Sequence, residues 1–112
     1  MIVYEVNLQV DSIAADEYAE WLEPHIEQIL EIEGFQGAKW FVCDSEDGKA
    51  HWSIRYHLDS RESLENYQKN HAPALIQEGL DRFGEYLISN RRIMSLKRSE
   101  EHTSELQSHL NL

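Results

Sequence analysis

The chain is short of several things at once, and each shortage removes a class of explanation. It holds a single cysteine, Cys43, in 112 residues, so no internal disulfide can form and a reducing compartment is the natural setting. No run approaches the roughly 20 consecutive apolar residues of a membrane span. The opening "MIVYEVNLQV" lacks a basic n-region and alternates apolar with polar residues, which is not how a secretory leader reads. Cytoplasm is the expected location. Positive charge is scarce as well: 10 Lys and Arg stand against 21 Asp and Glu, a net charge of −11. That field repels phosphate backbones and anionic lipid, so neither nucleic acid nor membrane is an expected partner. Arg91 and Arg92 make only a local basic spot. Phosphate-cradling glycine loops, a nucleophile elbow and CxxC pairs are also missing, so no cofactor is expected.

What is present is one domain's worth of patterned chain. In "IVYEVNLQV" the residues Ile2, Tyr4, Val6, Leu8 and Val10 share one face, with Glu5, Asn7 and Gln9 opposite, which predicts a strand. From about Ser12, Tyr18, Leu22, Ile26 and Ile29 recur at helical spacing. Gly34 suits the left-handed position past a helix end. "FQGAKWFVCD" and "AHWSIRYHL" read as strands joined through Asp47-Gly48, a tight-turn pair, with Trp40 and Trp52 as core or cross-strand partners. Asp59, with Glu62 three residues on, predicts a capping box at the start of a second helix. Leu64, Tyr67, His71, Leu75, Leu80 and Phe83 form its stripe, and "EYLISNRRIMSL" closes as a fourth strand.

The order βαββαβ is the ferredoxin-like α+β plan: a four-stranded antiparallel sheet with two helices on one face. Residues 1–97 form this domain. The other sheet face receives Glu5, Asn7 and Gln9 beside His51, Ser53, Arg55 and His57, where Glu5 and Arg55 are placed to meet across a ladder. It reads as polar, either solvated or set against a second sheet.

Residues 98–112 read differently. His102, Glu105 and His109 fall at i, i+3 and i+7, a spacing that could hold zinc on a helix. Yet "RSEEHTSELQSH", residues 98–109, resembles the first-frame translation of a common short-read sequencing adapter through all twelve residues. The segment is therefore read as a non-native, irregular tail and set aside, and the zinc reading with it. Without it the chain keeps 9 basic and 18 acidic residues.

Chemistry, if there is any, falls to His25 and His71. His25 lies three residues after Leu22 and seven after Tyr18; His71 lies four after Tyr67 and seven after Leu64. Both therefore face the core side, and both neighbour a proline, Pro24 or Pro73, which predicts kinks that open a hollow beneath the helices. There the two imidazoles would act as catalytic proton acceptors, with Tyr18, Trp21 and Tyr67 as substrate-binding walls. The plainer reading makes each a satisfied core histidine.

The runs "EYAEWLEPHIEQILEIEGF", "DSEDGKAHWSIRY", "NHAPAL" and "DRFGEYLISNRRIMSLK" together resemble a family of short bacterial proteins classed as a domain of unknown function, over residues 1 to about 97. That family is similar in plan to the dimeric α+β barrel proteins, the antibiotic-biosynthesis-monooxygenase-like group. The resemblance implies a homodimer with sheets face to face and a pocket between each sheet and its helices. It also implies a small-molecule ligand: an aromatic or carbonyl metabolite, bound or oxidised without a cofactor. The alternative is a non-catalytic interaction module working through the polar sheet face.

Overall fold

A computed structural model describes residues 1–100. Four antiparallel strands, β1 (Ile2–Val10), β2 (Phe35–Cys43), β3 (Ala50–Leu58) and β4 (Leu87–Ser95), form one sheet in the order β2-β3-β1-β4. The expected ferredoxin-like α+β plan is the observed one. Alternation in the two central strands puts Tyr4, Leu8 and Val10 beside Trp52, Ile54, Tyr56 and Leu58 on one face, all buried. Trp40 packs edge-on against Trp52 across β2 and β3, with ring centroids 4.9 Å apart. No helix among the described residues is long and apolar enough to cross a membrane.

Helix α1 (Ala15–Leu30) turns Tyr18, Leu22 and Ile29 onto that face. It runs through Pro24 without interruption, so the proline costs one backbone hydrogen bond and does not force a restart. The second helix does break. It is two helices, α2 (Arg61–Asn70) and α3 (Ala72–Phe83), separated at His71. The His71 N–H donates to the Tyr67 carbonyl at 2.9 Å, while its own carbonyl accepts from the Leu75 N–H at 3.3 Å. One residue thus ends one helix and starts the next, and Pro73 occupies the first turn of α3, where its missing N–H costs nothing.

Two turns differ in detail from expectation. The α2 cap is Ser60 and not Asp59: its Oγ accepts from the Ser63 N–H at 3.2 Å. The Asp59 carboxylate accepts instead from the hydroxyls of Ser60 and Ser63. Between β2 and β3, Asp47 and Gly48 belong to a longer loop, in which Gly48 does take the left-handed φ of +79°. Gly34 takes φ of +93°, as its place after α1 requires. The adapter-like stretch begins at Arg98, and its residues from 101 onward, the dismissed zinc triplet among them, lie outside the described residues.

Candidate functional site

A cavity of about 60 Å3 lies between the helices and the sheet. A buried water needs roughly 10–15 Å3 by the same kind of measure, so the hollow takes several waters or one small ring. Helix α1 brings Tyr18, Trp21 and His25 to it, α2 brings Tyr67, and the sheet brings Tyr4, Tyr56, Ser89 and Arg91. Helix α3 closes the side with Leu75, Ile76, Gly79 and Leu80. Gly79 lets that helix come close: a Cβ there would stand 3.2 Å from the Trp21 ring. Leu80, expected in the buried stripe, is 44% exposed while still lining the cavity, which puts the opening beside it.

The wall is aromatic and ordered. Trp21 and His25, one helical turn apart, stack with centroids 4.5 Å apart and planes 24° from parallel. Tyr18 stacks on Trp21 at 5.7 Å and receives the edge of Phe83 at 5.0 Å. Tyr67 meets Tyr4 edge-on at 5.8 Å. Burial fixes the protonation of these groups. It pushes the Tyr18 and Tyr67 phenols up to about 12 and raises Tyr4 and Tyr56, so all four are O–H donors at neutral pH. Burial likewise lowers the His25 pKa, helped by Arg91 and opposed by Glu78. The ring is therefore neutral at pH 7.

Of the residues singled out in the sequence, His25, Tyr18, Trp21 and Tyr67 come together, and His71 does not line the cavity. The expectation of two imidazoles bordering one hollow assumed a single helical phase from Leu64 onward. The break at His71, with φ −127° and ψ −43°, ends that phase. Sequence reasoning also missed Arg91. It counted Arg91 and Arg92 as one basic spot, whereas β-strand alternation sends them to opposite faces. Arg91 pairs with Val6 on the helix side and Arg92 with Glu5 on the other. The period-two set Leu87, Ser89, Arg91 in β4 was the available signal.

The open sheet face is less polar than the central strands suggested. Glu5 is 1% exposed and takes hydrogen bonds from Arg55 Nε at 2.9 Å, Arg92 Nε at 2.6 Å and Asn7 Nδ2 at 2.8 Å. Around it the edge strands add Phe41, Ile88 and Met94. Ser53 Oγ and His57 Nε2 are buried on this face without a hydrogen-bond partner. Among the described residues no group of three or more His, Cys, Asp or Glu is arranged to hold a metal ion.

Residues 1–97 match the model of a family described as a domain of unknown function, DUF4286, and the chain belongs to that family. No curated protein sequence matches. Solved structures share the fold at low identity. SnoaB, a cofactor-independent oxygenase from Streptomyces nogalater, is 10% identical with a TM-score of 0.66, covering 88% of this chain and 95% of its own. An antibiotic biosynthesis monooxygenase is 11% identical with a TM-score of 0.68, covering 88% and 100%. A variant of MhuD with two manganese protoporphyrin IX bound per active site is 14% identical with a TM-score of 0.64, covering 91% and 100%.

Proposed function

We propose that this DUF4286 member takes a small aromatic or carbonyl metabolite into the cavity beneath its helices and oxidises it without a cofactor, as a homodimer. The observation that carries the reading is a neutral base set in an aromatic wall: His25 stacked on Trp21, in a cavity that no carboxylate of the described residues lines. A neutral imidazole accepts a proton from an activated C–H. The carbanion left behind is electron-rich, and dioxygen forms a C–O bond at that carbon. The imidazolium returns its proton to the terminal oxygen, giving a hydroperoxide. Substrate and dioxygen supply every atom and electron, and loss of water from a secondary hydroperoxide then leaves a carbonyl. Likeness in fold to a cofactor-independent oxygenase supports the class of reaction. The cavity volume supports a ligand of a single ring.

Small molecules released from the purified chain by denaturation should include a one-ring aromatic or carbonyl compound by mass spectrometry. With that compound as substrate, His25→Gln should keep binding within a few fold and lose oxygen uptake by about a hundredfold or more. Because the His25 pKa is held below its ordinary 6.5, the acid midpoint of wild-type uptake should fall below pH 6.5. Unchanged uptake in His25→Gln would remove the base from the reading.

The open sheet face supports the dimer. Its groove of about 510 Å3 is lined by Met1, Val3, Phe41, Met94 and Leu96 around Arg55 and His57, and an uncovered apolar surface of this kind marks an association site. Light scattering should return twice the chain mass, and Phe41→Glu should return it to one. A monomeric wild type would instead favour the alternative, a non-catalytic module that offers this face to another protein.

A further inference from the structure

Among the described residues, Arg91 is the one permanently charged side chain that lines the cavity. The chain carries 21 acids against 10 bases, yet among the described residues no acid lines the hollow. Strand alternation puts Arg91 there, two residues after Ser89 and opposite Val6. Arg92, its neighbour, is already engaged by Glu5 on the far face. Among the described residues Arg91 makes no ion pair with a carboxylate, and its guanidinium donates to Ser89 Oγ at 3.2 Å. Its charge acts on Tyr4, Tyr18, Tyr56, Tyr67 and His25, stabilising negative charge or opposing positive charge at each. The surrounding phenols are donors. Among the described residues, the polar side chains that line the hollow are therefore a cation, hydroxyls, an indole N–H and a neutral imidazole, and none is an anion.

Granting the ligand-binding reading above, on which this rests, we propose that the cavity selects a single-ring aromatic carboxylate. The carboxylate pairs with the Arg91 guanidinium at the opening, and the ring lies against the Trp21 and Tyr18 wall. A guanidinium presents two parallel N–H groups that match a carboxylate, and in a half-enclosed site such charge-assisted bonds outweigh neutral ones. The absence of lining acids removes the repulsion that the rest of the surface would impose.

Benzoate and benzamide share shape and ring and differ in charge, so calorimetric titration of both into the full chain isolates the head group. Benzoate should bind about tenfold or more tighter than benzamide. Arg91→Gln should bring the two together by weakening benzoate alone. Arg91 is exposed, so the variant should melt at the wild-type temperature. Equal binding by wild type, or a preference that survives Arg91→Gln, would overturn selection by charge and leave the pocket reading standing. If neither probe binds a normally folded wild type at millimolar concentration, both readings fall.

Discussion

Gly34→Ala should lower the melting temperature by roughly 15 °C or more, the largest effect of any single methyl added to this chain. Two costs combine. Gly34 sits at φ +93°, where a side chain is strained by about 1–2 kcal/mol. The added Cβ would also fall 2.3 Å from Ser63 Cβ and Oγ, and 3.1 Å from an Asp59 carboxylate oxygen. Those atoms are tied together: Ser63 donates to Asp59 at 2.7 Å, and the Asp59 N–H donates to the Gly34 carbonyl at 3.0 Å. The neighbour therefore cannot step aside without opening the start of α2. Together the loss is roughly 3 kcal/mol or more, at about 4–8 °C per kcal/mol for a domain of this size. Measured in a Ser63→Gly background, the same substitution should cost only the backbone share. Equal costs in the two backgrounds would show that the close approach to Ser63 contributes nothing.

Glu5→Gln should destabilise the fold by about 2 kcal/mol at pH 7, the worth of losing charge-assisted bonds at a buried site. The limit is set by the partners: Arg55 and Arg92 side chains are 43% and 63% exposed and can turn into water once the carboxylate is gone. The pH dependence identifies the cause. Hydrogen bonding from Arg92, above all, lowers the Glu5 pKa below its ordinary 4.5, against burial, with Asn7 and Arg55 adding to the effect. A carboxylate whose folded pKa is depressed contributes stability that is present above the unfolded pKa and lost as pH falls through the folded one. Urea unfolding should therefore show the two proteins converging below about pH 4.5, as the wild type takes up the proton that Gln mimics. A gap that does not narrow at all as pH falls below 4.5 would assign the loss to packing instead.

Arg55 was legible from the sequence as a partner for Glu5, because period two put both on one face and opposite charges suit a cross-strand pair once β1 and β3 are neighbours. Arg92 was not: alternation in β4 separates it from Arg91, but which of the two turns to the helices and which to Glu5 follows only from the register with β1. The same holds for the candidate site. Tyr18, Trp21 and His25 lie within two turns of one helix, so local spacing sufficed to group them. His71 was grouped with them across a break that spacing could not reveal, since a proline two residues on is equally compatible with a bend and with a new helix. On the open face, reading β1 and β3 alone suggested polarity, while the edge strands supplied Phe41, Ile88 and Met94.

By itself, then, the sequence determined the order of elements, the buried face of each central strand and the aromatic run of α1, because these are periodic properties of short segments. Only tertiary structure decided which cation lines the cavity, which histidine is left out of it and what surrounds Glu5. Those depend on strand neighbours and on where one helix stops, contacts between residues up to 87 positions apart, and no local repeat records them.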